Sequence, residues 1–462
     1  MPFYSLDYFL FLPIVYLAHH FAGERARWCV LLAASLLFYA ALNVPYLLVV
    51  LILVIIATYC FGIWLDRTSA EKAKRAFLWS GIAANVLILI IMKYLPFRLD
   101  RTIVAIGVSY YVFQAISYLI DIYLGIRKPE RHFGYFSLYL AFFPKLLQGP
   151  IERAGDLLPQ IRAKYEFNYV NMRSGLLLFT WGLFKKVVIA DRLGLYVDTV
   201  YNNVHAFEGL SLLLATYAYA LQIFMDFSGY TDMALGSALF FNIKLTQNFN
   251  SPYIATSVAD FWRRWHISFS RWILDYIFRP LQMRWRNRQD RGTAAALIVT
   301  FLVVGIWHGA SWGFVIWGLL HGVYMASSVF YRPYQKRLHK ALHIEKTGFL
   351  KAWQIFVTFN LVSFAWVFFR AGNLADAVYI VTNMFNGAKR AYSGFLLSQG
   401  KAGLLIISIS ILLYMVISTQ AKKMQGQFQD HILFRWALYY CFTFYIILFA
   451  VRAKAAFIYM GF

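Results

Sequence analysis

The sequence predicts an all-α, polytopic integral membrane protein, and three observations carry that reading. Of its 462 residues, 61% are hydrophobic and only 14% are charged, whereas about a quarter of a soluble globular chain is charged. Apolar runs of roughly 17 to 25 residues, long enough to cross a bilayer as helices, recur along the chain, and about eleven can be placed with shorter apolar pieces between them. The basic residues, which bring the net charge to +23, sit in loops beside those runs. That pattern follows the positive-inside rule and lacks the basic face or tail that binds nucleic acid, so membrane lipids and not nucleic acids are the expected surroundings.

The first apolar run begins near Phe3 without the basic stretch of a cleavable signal, so it is expected to remain as a helix. Asp7 lies before that run and Arg25 and Arg27 after it, which predicts an N-terminus outside and a first loop inside. Helices near 27–42 and 45–65 then bring the basic loop Asp66 to Arg75 back inside, and helices near 76–95 and 103–124 do the same for Arg127 to Arg131. Cys29, Cys60 and Cys441 are isolated in apolar runs and read as buried free thiols, not as a disulfide framework or a metal site.

Between 133 and 164 the chain mixes Pro144, Gly149 and Pro150 with Lys145, Gln148, Glu152 and Arg153, which excludes one straight spanning helix. Irregular backbone at membrane depth needs protein or a wet cavity around it, so a re-entrant or interfacial turn at a cavity wall is expected. A helix near 172–190 ends in Lys185 and Lys186, read as basic anchors at an interface. The next span, near 209–227, runs into a polar knot of Asp226, Ser228, Tyr230 and Asp232. Buried carboxylates need partners, and Arg263 and Arg264 are the expected ones.

Residues 258–322 form the expected catalytic core. Asp260, Trp262, Arg263, Arg264, Trp265 and His266 read as one amphipathic helix that lines a polar cavity or grips headgroups. Further on come Gly305, Trp307, His308, Gly309, Ser311 and Trp312, in a run from Ala294 to Tyr331 that otherwise holds no charged residue. An ionisable side chain in such a run marks a functional site; the alternative is a core histidine bonded to Ser311 or to a tryptophan. Basic stretches at Arg284 to Arg291 and Arg332 to Lys351 both belong inside, and the piece from Gly292 to Trp307 is about fourteen residues, short of the roughly twenty that span. That spacing predicts His308 near the membrane's middle. His339 and His343 share a helical spacing but lack the glutamate of a zinc-protease pattern, so no metal site is expected.

Assembled in order, these stretches resemble the membrane-bound O-acyltransferase family, in its bacterial branch that acetylates alginate and peptidoglycan. The resemblance rests on Phe143-Pro144 with Gln148-Gly149-Pro150-Ile151, Met225 to Met233, Asn248-Phe249-Asn250 with Pro252-Tyr253, Asp260 to Ser268, and Trp307 to Trp312. It implies a single membrane domain over 1–462, a bowl of tilted helices around a central tunnel, with His308 as catalytic histidine and His266 as a further functional residue. It also implies acetyl-coenzyme A as a cytoplasmic co-substrate, no permanently bound cofactor, and a polysaccharide acceptor reached through an extracytoplasmic acetyltransferase partner. Arg284, Arg286 and Arg288 would meet the coenzyme phosphates, and Tyr459, in the tail 457–462, could accept acetyl. A lipid acyltransferase, or a glycan or lipid transporter without acyl chemistry, remains the alternative.

Overall fold

A computed structural model describes residues 1–94, 107–386, 393–427, 432–451 and 458. The chain opens with α1 (Leu6–Phe21), α2 (Arg27–Ala40), α3 (Pro45–Arg67), α4 (Glu71–Tyr94) and α5 (Val108–Tyr123). Three short helices, α6 (Phe133–Ala141), α7 (Phe143–Leu146) and α8 (Ala154–Arg162), cover the proline-bearing stretch, followed by α9 (Tyr169–Phe184), α10 (Asp191–Tyr201) and α11 (Leu210–Leu239). The core segment contributes α12 (Val258–Arg264), α13 (Ile267–Ile273), α14 (Arg279–Arg284), α15 (Gln289–His308) and α16 (Trp312–Ala341). The chain continues through α17 (Gly348–Arg370), α18 (Leu374–Asn383), α19 (Ser393–Gln427) and α20 (Ile432–Phe449).

Seven of the described helical segments are long and apolar enough to cross a membrane, and three shorter apolar ones join them; the protein is a multi-pass membrane protein. The sequence expectation of about eleven spanning runs divides in this way because some apolar sequence is not a lipid-facing span. Nearly every residue of α5, for example, is buried in protein. The reverse holds for the cysteines: Cys29 and Cys441 are exposed and Cys60 is half-buried, because an apolar run in a bilayer can turn its side chains to lipid. The stretch Arg286–His308, at 23 residues, is long enough to span. The spacing argument for a mid-membrane His308 therefore fails, because the helix begins in the basic loop itself.

Helices approach closely where glycines face each other. A Cβ on Gly182 or Gly236 would collide with the backbone of the facing helix at Gly229 or Gly175, and one on Gly318 would collide with α15 at Phe301 and Gly305. Without a hydrophobic drive between helices in lipid, such small-residue contacts supply the packing. On one face the polar loops tie to each other. Arg131 pairs with Asp66 at 3.4 Å, Arg162 with Glu130, Arg27 donates to the Tyr165 carbonyl at 3.1 Å, and Asn242 to that of Glu166 at 2.5 Å. Of these, the Arg131–Asp66 pair joins two of the basic loops that the charge rule placed together.

Lys185 and Lys186 are not interface anchors. They begin a π-helical turn, Lys185–Ala190, that joins α9 to α10, and both are buried. Lys185 Nζ lies 2.6 Å from Asp232 and donates to Ser228 Oγ at 3.0 Å. Lys186 Nζ lies 2.7 Å from Asp226 and 2.9 Å from Asp191. These lysines, and not Arg263 or Arg264, neutralise the polar knot; Arg264 pairs with Asp260 at 3.0 Å and Arg263 is exposed. The extra residue of a π turn changes the helical phase, so two consecutive lysines reach α11. Replacing Lys186 with Ala would leave two buried carboxylates uncompensated, a loss of roughly 3–5 kcal/mol, read as a lower thermal midpoint of the purified protein in detergent.

Candidate active site

The α15–α16 hairpin places His308 at the last position of α15, where Gly309 takes an extended conformation. Ser311 then caps α16 by accepting from the Gly313 N–H at 3.3 Å. Two carbonyls at the α15 end are met from α4. Lys93 Nζ donates to the Trp307 carbonyl and the Tyr94 hydroxyl to that of Ile306. A cation suits the negative end of a helix dipole, and Lys93 Nζ also stands 4.9 Å from the Trp307 ring centre. The His308 imidazole is buried among Trp307 at 4.5 Å, Trp317 at 4.9 Å and Phe369 at 5.0 Å between ring centres.

His266 arrives by a different device. The single helix expected through Asp260 and His266 is broken: α12 ends at Arg264, and His266 adopts φ 43° and ψ 56° before α13 begins. A left-handed non-glycine residue costs about 1–2 kcal/mol, and the surroundings hold it there. The Asn248 carbonyl accepts from the Ile267 N–H at 2.9 Å, and Asn248 Oδ1 from the Ser268 N–H at 3.1 Å. Ser268 Oγ in turn accepts from the Ile151 N–H at 3.0 Å. The break turns the imidazole inward, where it packs on Phe227 at 4.8 Å, Phe269 at 5.0 Å and Tyr110 at 6.2 Å.

The two histidines share one interior. From His266 the rings run to Phe269, from Phe269 to Trp307 at 4.6 Å, and from Trp307 to His308. An imidazole can take and return a proton near neutral pH, and the aromatic rings around the pair offer it few other polar partners. The proline-bearing stretch lies beside this interior, as its composition suggested, with residues 134–152 buried but for Tyr135. Glu152 receives the Thr246 N–H and hydroxyl, at 2.5 and 3.0 Å, while burial pushes its carboxyl up to about 7.

Other expected residues divide into several places. Trp265 is buried against Phe249, Phe261 and Trp366, and Trp262 donates from its indole to Nδ1 of another buried histidine, His321, at 3.2 Å. Asp226 and Ser228 belong to the lysine cluster, and Tyr230 stacks on Phe3 at 4.7 Å. Asp260 is held by Arg264, while Arg263 and Ser311 are exposed and Trp312 is 71% exposed. Arg284, Arg286 and Arg288 are exposed before the start of α15, whose 20 residues place Arg288 about 30 Å from His308 along the axis. Tyr459 lies outside the described residues; its neighbour Ile458 donates its N–H to Asp226 Oδ2 at 2.8 Å. Sequence reasoning passed over His321 and Lys93. His321 carries the same signal as His308, a polar residue in an apolar run; Lys93 has the sequence setting of an ordinary snorkelling lysine at a helix end.

Comparison with known proteins adds an independent line. Residues 130–369 match the family model of the membrane-bound O-acyltransferases. The chain is 37% identical to a peptidoglycan O-acetyltransferase of Helicobacter pylori over 423 residues, 81% of this chain and 78% of that one. It is 33% identical to the probable alginate O-acetylase AlgI of Pseudomonas aeruginosa over 397 residues, 82% and 73% of the two chains. A teichoic acid D-alanyltransferase of Bacillus subtilis is 27% identical over 315 residues, 65% of this chain and 79% of that one.

The Trp262–His321 bond offers a test of how the interior is held. Trp262→Phe keeps a ring but leaves Nδ1 of His321 unpaired, which should cost about 1–3 kcal/mol; an unchanged thermal midpoint would show that packing alone seats His321.

Proposed function

The chain belongs to the membrane-bound O-acyltransferase family, and on that premise we propose that it carries acetyl from cytoplasmic acetyl-coenzyme A across the bacterial inner membrane. The destination is a hydroxyl of an extracytoplasmic polysaccharide such as alginate, peptidoglycan or another exopolysaccharide, reached through a separate acetyltransferase. The observation that carries this reading is the pair of buried histidines in one aromatic interior. The relatives named for O-acetylation of alginate and peptidoglycan support it. As an O-acyltransferase the protein is an enzyme, which sets aside transport without acyl chemistry.

In this reading His308 takes the proton of the acceptor hydroxyl while its oxygen bonds to the thioester carbonyl carbon. The carbon–sulfur bond breaks, and the departing thiolate receives the proton back from His308. His266 orients the thioester or stabilises the developing oxyanion. The arginines 284, 286 and 288 suit first capture of the coenzyme phosphates at the inner face. They do not hold the diphosphate in the reactive pose, because about 30 Å of helix exceeds the arm from thioester to diphosphate, about as long as five extended residues or roughly 17 Å. Tyr459 would accept acetyl from the interior and present it to the partner; its neighbour Ile458 is tied to Asp226 of α11.

With purified protein in nanodiscs, His308→Ala should lower acetyl-coenzyme A turnover by about 10²–10⁴-fold at an unchanged thermal midpoint; equal turnover would make His308 structural. Tyr459→Phe should abolish glycan acetylation in cells while turnover of the donor to water persists. Normal acetylation in that strain would remove Tyr459 from the route.

A further inference from the structure

The backbone turns around His266 gather more unanswered polar atoms than packing explains. Both heteroatoms of the Gln148 side chain, Nδ2 of Asn248, the Tyr110 hydroxyl and both ring nitrogens of His266 have no hydrogen-bond partner among the described residues. All four side chains are more than nine-tenths buried. Buried polar atoms in folded proteins are paired in roughly nine cases of ten or more. Six such atoms gathered in one neighbourhood suit a polar ligand seated there.

Their proximity follows from the contacts. Tyr110 stacks over the His266 ring at 6.2 Å, and Asn248 receives the two N–H groups that follow His266. Gln148 lies in the turn whose Ile151 N–H is held by Ser268 Oγ. None of the four side chains is a carboxylate, a lysine or an arginine. The neighbouring cation, Lys145, is occupied by Gln114 Oε1 at 2.5 Å and the Leu140 carbonyl at 3.2 Å. A phosphate would find no counter-charge, whereas an amide would find both donors and acceptors. Phe227, Phe249 and Phe269 supply apolar wall for methylenes beside them. Glu152 and Thr246, joined to each other, lie a few residues along the chain toward Lys244 and Asn242 at the loop face.

We propose that Tyr110, Gln148, Asn248 and His266 form the subsite that hydrogen-bonds the uncharged, amide-bearing arm of the thioester donor. This rests on the acetyl-coenzyme A reading above and adds which residues recognise the donor between the loop face and His308. Gln148 and Tyr110 act there as binding residues and leave the chemical step to His308.

The test uses full-length protein in nanodiscs with two donors: acetyl-coenzyme A and the acetyl thioester of N-acetylcysteamine, which keeps one amide and has no phosphate. Gln148→Leu should raise KM for both donors by about tenfold, and the near-isosteric Tyr110→Phe by about threefold. Both should keep the wild-type kcat, a split that a merely structural defect would not produce. Should Gln148→Leu lower the thermal midpoint, Tyr110→Phe decides. Wild-type KM in both variants, with the wild-type protein active, would overturn the subsite alone. A wild-type protein that consumes neither thioester would overturn the donor reading and the subsite with it.

Discussion

Two hydrogen bonds to Asn248 hold the interior in its present form. The N–H groups of Ile267 and Ser268 end on that one residue, and in an apolar surrounding they have no water to turn to. Meeting them forces the chain to break between α12 and α13, with His266 left-handed at the break. The strain of that conformation is tolerated because the alternative is a buried, unpaired backbone. Everything that faces His266, from Phe227 to the turn at Gln148, is arranged around the outcome.

The same constraint explains the lysine cluster. A lysine buried in a membrane protein survives only against carboxylates, and Lys185 and Lys186 have Asp232, Asp226 and Asp191. The cluster joins the α9–α10 run to α11, and Asp226 also receives the backbone of Ile458. One carboxylate thus joins α11 both to the α9–α10 run and to Ile458. Close glycine contacts between α9 and α11, and between α15 and α16, do in van der Waals packing what the cluster does in charge.

His308 and His266 come together from opposite directions. His308 ends a helix whose carbonyls are capped by Lys93 and Tyr94 of α4, and His266 begins one after a forced turn. Between them Phe269 and Trp307 form a continuous aromatic wall. The arrangement buries both imidazoles among aromatic rings.

Composition and charge distribution were enough to establish a helical membrane protein, because lipid admits few other folds and basic loops mark one side. The isolated polar residues His308 and His266, and the motifs around them, likewise pointed to the family and its interior, since a costly polar group in apolar sequence needs a reason to persist. Pairing was decided only in three dimensions. Arg263 and Arg264 were the expected partners of the aspartates, yet a π turn delivered lysines instead, because helical phase is set by packing and is not written in residue type. The break at His266, the capping by Lys93 and the convergence of Gln148, Tyr110 and Asn248 also depend on segments far apart in the chain. Sequence reports which polar groups are too costly to leave alone; tertiary structure chooses their partners, because hydrogen bonds and ion pairs are formed across distance in space.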